Sequence, residues 1–214
     1  MKKVKGYLLE FFVIFISISF AFLSENWREQ LQDKEDYRLI LDEIHANLML
    51  DSIEFKNDIV FIEQQIDAIT RLLDERNPCP DDSLDYFFDL VMYNYRWPDV
   101  KSTGIDQLRN SKNLDPDSEL ISEVNNYYTW TEFIKESTPY QYILPQNTFN
   151  DWIVQNELMP AEYRSDQIHP DVLRQLRIRL YHLRRSKQLQ RGVFQRGLST
   201  INYLLGQFED AKVL

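Results

Sequence analysis

The first apolar positions of the chain come as a block, not as a period. Residues 7–24, YLLEFFVIFISISFAFLS, hold one charge, Glu10, and serines at Ser17, Ser19 and Ser24. Counted from Val4, the stretch has 21 residues, about 30 Å of α-helix, which matches the hydrocarbon core of a bilayer. From residue 25 a helical period replaces the block. Residues 25–76 contain no Pro and no Gly, and apolar side chains fall at Tyr37, Leu41, Ile44, Leu48, Phe55, Ile59, Ile62, Ile66, Ile69 and Leu73. Steps of three and four predict a long coiled-coil-like helix. Asp51 fills the one missing position, and the repeated step of four around Phe55 reads as a stutter.

Asn77-Pro78-Cys79-Pro80-Asp81 ends that pattern, because proline has no N–H to donate and clashes with the preceding turn. Asp81 or Asp82 can cap a new helix reaching Tyr93. After Trp97-Pro98, short helices are expected near Thr103–Asn110 and from Asp115-Pro116 to about Glu136. Pro139, Pro145, Pro160 and Pro170 keep punctuating the middle region. A last long helix over 171–208 shows a seam at Leu173, Leu176, Leu180 and Leu183, resuming at Phe194, Leu198, Ile201, Leu205 and Phe208. Between the halves it turns polar over residues 184–192, and Gly192 marks an expected kink. The fold class is therefore all-α, in four segments: a transmembrane anchor over 1–24, a helical stalk over 25–76, short helices over 77–169, and a basic helix over 170–214.

Composition sharpens this outline. Five glycines in 214 residues argue against sandwiches, barrels and glycine-rich phosphate loops, which need tight turns and close backbone approach. Cys79 is the one cysteine, so no internal disulfide framework or thiolate metal cluster can form within one chain. The formal net charge of −10 hides a strong asymmetry. Residues 1–24 carry +2, residues 25–169 carry −18, and residues 170–214, with 9 basic and 3 acidic side chains, carry +6.

The apolar block reads as an uncleaved single-pass membrane anchor. A signal peptide is disfavoured because Ala21-Phe22-Leu23 puts a large residue where cleavage needs a small one. Trp27 sits at the expected interface. Lysines at 2, 3 and 5 are balanced by Arg28, Lys34 and Arg38, which leaves the side of the soluble part open. Glu10, Ser17 and Ser24 lie seven apart on one face, a polar stripe that suggests spans packed or lined by these groups in a homo-oligomer. Glu10 as an acid near the headgroups is the other reading.

The basic helix also admits two readings. Arg177, Arg184 and Arg191 recur every seven residues, and Arg185 and Lys187 extend the patch. Arginine forks suit phosphate, so a nucleotide or single-stranded oligonucleotide is one candidate ligand. The stalk, with 6 basic and 14 acidic residues, is the other candidate partner. Asp82, Asp85 and Asp89 share a helix face but have a capping role that does not require a cation. His45, His169 and His182 are scattered without a nucleophile at motif spacing, so no catalytic function, cofactor or metal is expected.

The stretch LLEFFVIFISISFAFLSENWREQ, opened by Glu10 and closed by Asn26-Trp27, and the segment TGIDQLRNSKNLDPDSELISEVNNYY over residues 103–128 resemble a family of small bacterial single-pass membrane proteins of unknown function. The likeness runs over roughly residues 6–130 and leaves the basic helix outside it. It implies a membrane anchor and a helical domain, with no activity attached. By architecture alone, the chain also looks like channel-type membrane effectors of bacterial anti-phage systems. These readings lead to the expectation of a homo-oligomeric pore whose soluble domain binds an anionic ligand, with a membrane-tethered coiled-coil scaffold as the alternative.

Overall fold

The computed structural model describes residues 2–74, 81–92, 99–111, 119–138, 143–158 and 169–212, apart from the side chains of residues 2–10, 81–85, 87, 138 and 211–212. Six helices follow in order: α1 (Lys2–Leu73), α2 (Asp81–Met92), α3 (Thr103–Asn110), α4 (Glu119–Thr138), α5 (Leu144–Gln155) and α6 (Pro170–Lys212). Among the described residues there is no strand, and the all-α class holds. The expected proline stop at 77–80, the Trp97-Pro98 loop and the Asp115-Pro116 start lie outside the described residues.

α1 joins the apolar block to the stalk without a break over 72 residues, about 108 Å at 1.5 Å per residue. Nothing between residues 24 and 25 interrupts it, since Ser24-Glu25-Asn26 lacks both Gly and Pro. α6 begins on a proline at its first turn, where the missing N–H costs nothing. The His169 carbonyl accepts the amides of Val172 and Leu173 at 3.0 and 3.1 Å.

α6 runs antiparallel along α1. Phe208 meets His45 edge-on at 5.7 Å, Phe194 meets Phe55 at 5.5 Å, and Arg191 reaches Glu63 at 3.7 Å. The buried residues of α6 fall on one strict heptad: Leu176, Leu180, Leu183, Lys187, Gln190, Phe194, Gly197, Ile201, Leu204 and Phe208. α1 answers with Ile44, Leu48, Asp51, Phe55, Asp58, Ile62, Gln65, Ile69 and Leu72, again in steps of three and four.

This register corrects the apolar tally in two places. The stutter is absent because Asp58 and Gln65, not Ile59 and Ile66, occupy the seam. On α6 the seam is continuous, with Lys187, Gln190 and Gly197 in its positions, while Leu198 and Leu205 flank it half-buried. α6 also continues through Gly192, whose surroundings are open, so the residue serves no break or close approach.

The core is split in two. A proximal cluster, nearer the apolar end of α1, gathers Ile44, Leu48, Phe55 and Ile62 with Ile105, Val124, Tyr128, Phe194 and Ile201. A distal cluster gathers Ala68, Ile69 and Leu72 with Phe88, Val91, Phe149, Ile153, Leu176, Leu180 and Leu183. α3 and α4 pack into the first, α2 and α5 into the second. Gly104 is required where α3 crosses α1, since a Cβ there would lie 2.9 Å from the Ile44 backbone nitrogen. Gly197 is required against Phe55, whose ring a Cβ would meet at 2.4 Å.

Candidate functional site

Three features of the described molecule bear on function: a bare apolar helix, a polar layer in the seam, and the arginines beside it. The bare helix comes first. From Phe11 to Leu31 every large apolar side chain of α1 is exposed, Phe20 to 69% and Phe22 to 68%. No other described element covers this stretch, and its length and composition suffice to cross a membrane. The side chain of Glu10 lies outside the described residues. The hydroxyls of Ser17 and Ser24 donate to their own helix, to Val13 O at 2.8 Å and Ala21 O at 3.0 Å. Each hydroxyl is thus satisfied without a lumen or a neighbour, as hydrocarbon requires.

The polar layer lies between the two clusters. Lys187 and Gln190 on α6 and Gln65 on α1 are buried where Leu183 and Ala68 end one cluster and Phe194 and Ile62 end the other. Gln65 Nε2 donates to the Leu90 carbonyl at 2.9 Å. Gln146 Nε2 donates to Val91 O, and Asn150 Nδ2 donates to Met92 O at 2.7 Å. Three amide side chains thereby satisfy the carbonyls that a helix C-terminus leaves unpaired, so α2 is held at its end by α1 and α5. Lys187 is 2% exposed, and burial lowers its pKa from 10.5 to about 8, because a low-dielectric interior disfavours the ammonium.

The nominated anion-binding residues therefore separate. Lys187 faces the seam. Arg191 is half-buried and paired with Glu63, so at this position the acidic stalk is the partner. Arg177 is half-buried, Arg184 stacks its guanidinium 5.4 Å from the Tyr181 ring, and Arg185 is exposed. Two arginines passed over in the sequence line concave surface instead. Arg179 sits 4.9 Å over Trp152 and, with His182, borders a cavity of about 300 Å³. Arg196 borders one of about 260 Å³ with Trp130, Tyr203 and Glu123. Their signal was present as flank positions of α6, but only the fold shows which flank meets α4 and α5. Of the aspartates on α2, Asp89 is exposed and the side chains of Asp82 and Asp85 lie outside the described residues.

A second buried polar site ties α1 to the linker before α3 and to α4. Asp51, 1% exposed, accepts the Lys101 amide at 3.0 Å and the Tyr127 hydroxyl at 3.2 Å. Burial raises its pKa to about 6 against the opposing pull of these two hydrogen bonds. Asn47 donates to Thr103 at 3.1 Å one turn away. Arg109 then clamps α3 to α4, donating to Asn125 and Glu132 at 3.0 Å each.

No family model, curated protein or solved structure matches the chain. Four residues of segment 103–128 nevertheless have physical reasons to be as they are: Thr103, Gly104, Ile105 and Arg109 are each committed to a contact with α1 or α4.

Proposed function

We propose that the protein is a self-associating, single-pass membrane effector of the channel type. In this reading the apolar end of α1 crosses the bilayer of a bacterial inner membrane and the helical domain governs how the spans assemble. The observation that carries it is the continuity of α1. One helix presents uncovered apolar side chains from Phe11 to Leu31 and supplies one whole side of the domain core from Ile44 to Leu72. A rotation or tilt imposed on the domain is therefore transmitted to the span along an unbroken hydrogen-bonded rod. Glu10, Ser17 and Ser24 form the face that meets its copies, with Glu10 the group whose burial among spans rather than lipid matters most.

Control by an anionic ligand is assigned to Arg177, Arg184 and Arg185, of which Arg185 is the exposed one and along which an extended phosphate chain would follow α6. A nucleotide or single-stranded oligonucleotide fits this chemistry. A ligand shifts such an assembly only by binding its open and closed forms with different affinity.

The scaffold reading, a membrane-tethered coiled-coil adaptor, is favoured by one observation: the Arg191–Glu63 pair and the burial of Lys187 commit two of the five residues of the basic patch to holding α6 on α1. Ion flux through liposomes containing the purified full chain separates the two. Conductance that falls on Glu10→Gln supports the channel. An absence of flux from the wild-type oligomer defeats it and leaves the scaffold.

A further inference from the structure

The face of α1 opposite the α6 seam carries an apolar row of its own. Leu39, Ala46, Ile53 and Val60 recur every seven residues, and Met49 and Leu50 fill the half-step between Ala46 and Ile53. The five larger side chains are each 51–55% exposed, and no described element covers them. In the heptad that places Leu48, Phe55, Ile62 and Ile69 in the α6 seam, this row lies on the far side of the helix. The neighbouring half-steps hold Asp42-Glu43 and Lys56-Asn57, so the row is apolar at one heptad position throughout and at both around Met49 and Leu50, and among the described residues it has no partner. Purely polar residues on this face would cost the fold nothing, so its apolar repeat calls for a partner.

The same helix identifies the occupant. A span at one end of α1 fixes every copy in the membrane with the same direction and the same depth. The rows of neighbouring copies therefore stand side by side, parallel and in register, and a seven-residue repeat is complementary to itself in that arrangement. A lipid surface is a poorer partner: residues 25–76 hold 14 acidic and 6 basic side chains, and anionic headgroups repel such a helix. We infer that the outer face of α1, centred on Leu39, Ala46, Ile53 and Val60, is a second coiled-coil seam that joins parallel copies of this chain outside the membrane. This rests on the reading that copies associate through a spanning α1, and it names the surface by which the stalks meet.

The test uses the full chain in a mild detergent, with Cys79→Ser as background and single cysteines at Ile53 or Val60. Under mild oxidation each should form a same-position disulfide, since facing seam positions bring Cα atoms within the roughly 4.4–6.8 Å that a bridge needs. A cysteine at Ser199, exposed on α6, should not. Mixing the Ile53→Cys and Val60→Cys chains should give no cross-pair. Separately, Ile53→Glu with Val60→Glu should weaken association by about tenfold or more, because two aliphatic side chains would otherwise be buried, with helical content unchanged. If the wild type is oligomeric but neither cysteine bridges and the double Glu variant associates normally, the copies meet elsewhere and the seam is wrong. Bridges to a different protein in native membranes overturn it equally. A wild type that is monomeric removes the self-association reading as well.

Discussion

The Tyr127 hydroxyl on α4 donates to the Asp51 carboxylate on α1 at 3.2 Å, across 76 positions of sequence. The carboxylate also takes the Lys101 amide, so one side chain fastens the linker and α4 to the stalk. Its pKa stands near 6 because burial outweighs both hydrogen bonds. The folded chain thus favours the protonated acid more than the unfolded chain does. That contribution is complete below the ordinary aspartate pKa of about 3.9 and is lost as pH rises through about 6. Two units correspond to about 3 kcal/mol as an upper bound. In melts between pH 4 and 7, wild type should lose stability relative to Asp51→Asn, which keeps an acceptor and has no such slope. Asp51→Ala should be destabilised by about 1–3 kcal/mol, since it orphans a buried amide and a hydroxyl.

Lys187 titrates in the opposite sense. Its pKa is lowered to about 8 by burial alone, so holding the ammonium in the seam costs stability below that pH. The cost is relieved as pH rises from about 8 towards the ordinary lysine value of about 10.4. Lys187→Met, which fits an apolar heptad position, should therefore stabilise the domain by about 1–3 kcal/mol at pH 7. The gain should shrink in melts at pH 10. If the polar layer sets how far the two clusters move independently, the same variant should also slow amide exchange in α2, whose C-terminus hangs on Gln65 beside it.

The helical class, the membrane-length block and the two long helices were legible in the sequence because each is a property of one segment: a run, a period, a proline. The pairing of acidic stalk with basic helix was legible as one of two options, and Arg191–Glu63 realises it at one point. The register was not. Counting apolar letters placed Ile59 and Ile66 in the seam, where the fold has Asp58 and Gln65. A polar residue in an a or d position looks like an interruption until a partner helix is present to show that the heptad continues. The same one-residue rotation decides whether Lys187 faces α1 or a ligand. The division into two clusters joined by a polar layer depends on which short helix docks where, and no local pattern encodes that.

The glycines of α3 and α6 separate close packing from simple permissiveness. At Gly104 a Cβ would lie 2.8 Å from Ile44 Cγ1 and 2.9 Å from its backbone nitrogen, and a backbone atom cannot step aside cheaply. Gly104→Ala should cost about 1–3 kcal/mol by overpacking and lower the melting temperature. Gly197→Ala should cost something similar, because it meets the Phe55 ring and Trp130 together. Gly192 has open space around it, so Gly192→Ala should instead stabilise α6 by about 0.5–1 kcal/mol through helix propensity. A melt series of the three variants checks this, and a destabilised Gly192→Ala would mean that α6 must bend there.

Arg191 and Arg185 sit six residues apart on one basic helix, yet charge reversal should affect different things. Arg191 is half-buried and 3.7 Å from Glu63. Arg191→Glu places like charges together across the α1–α6 pair and should destabilise by about 1 kcal/mol, with recovery in the Arg191→Glu, Glu63→Arg double variant. Arg185 is exposed and makes no described ion pair with the stalk, so Arg185→Glu should leave the melting temperature within about 0.5 kcal/mol of wild type. Its effect should appear in oligonucleotide binding, as a weaker affinity and a salt slope reduced by about 1, the signature of one lost phosphate contact. Binding that is lost on Arg191→Glu and restored by the double variant would show that the stalk pairing shapes the site. Binding indifferent to Arg184→Glu and Arg185→Glu together would remove the anion ligand and leave the basic helix as the electrostatic complement of its own stalk.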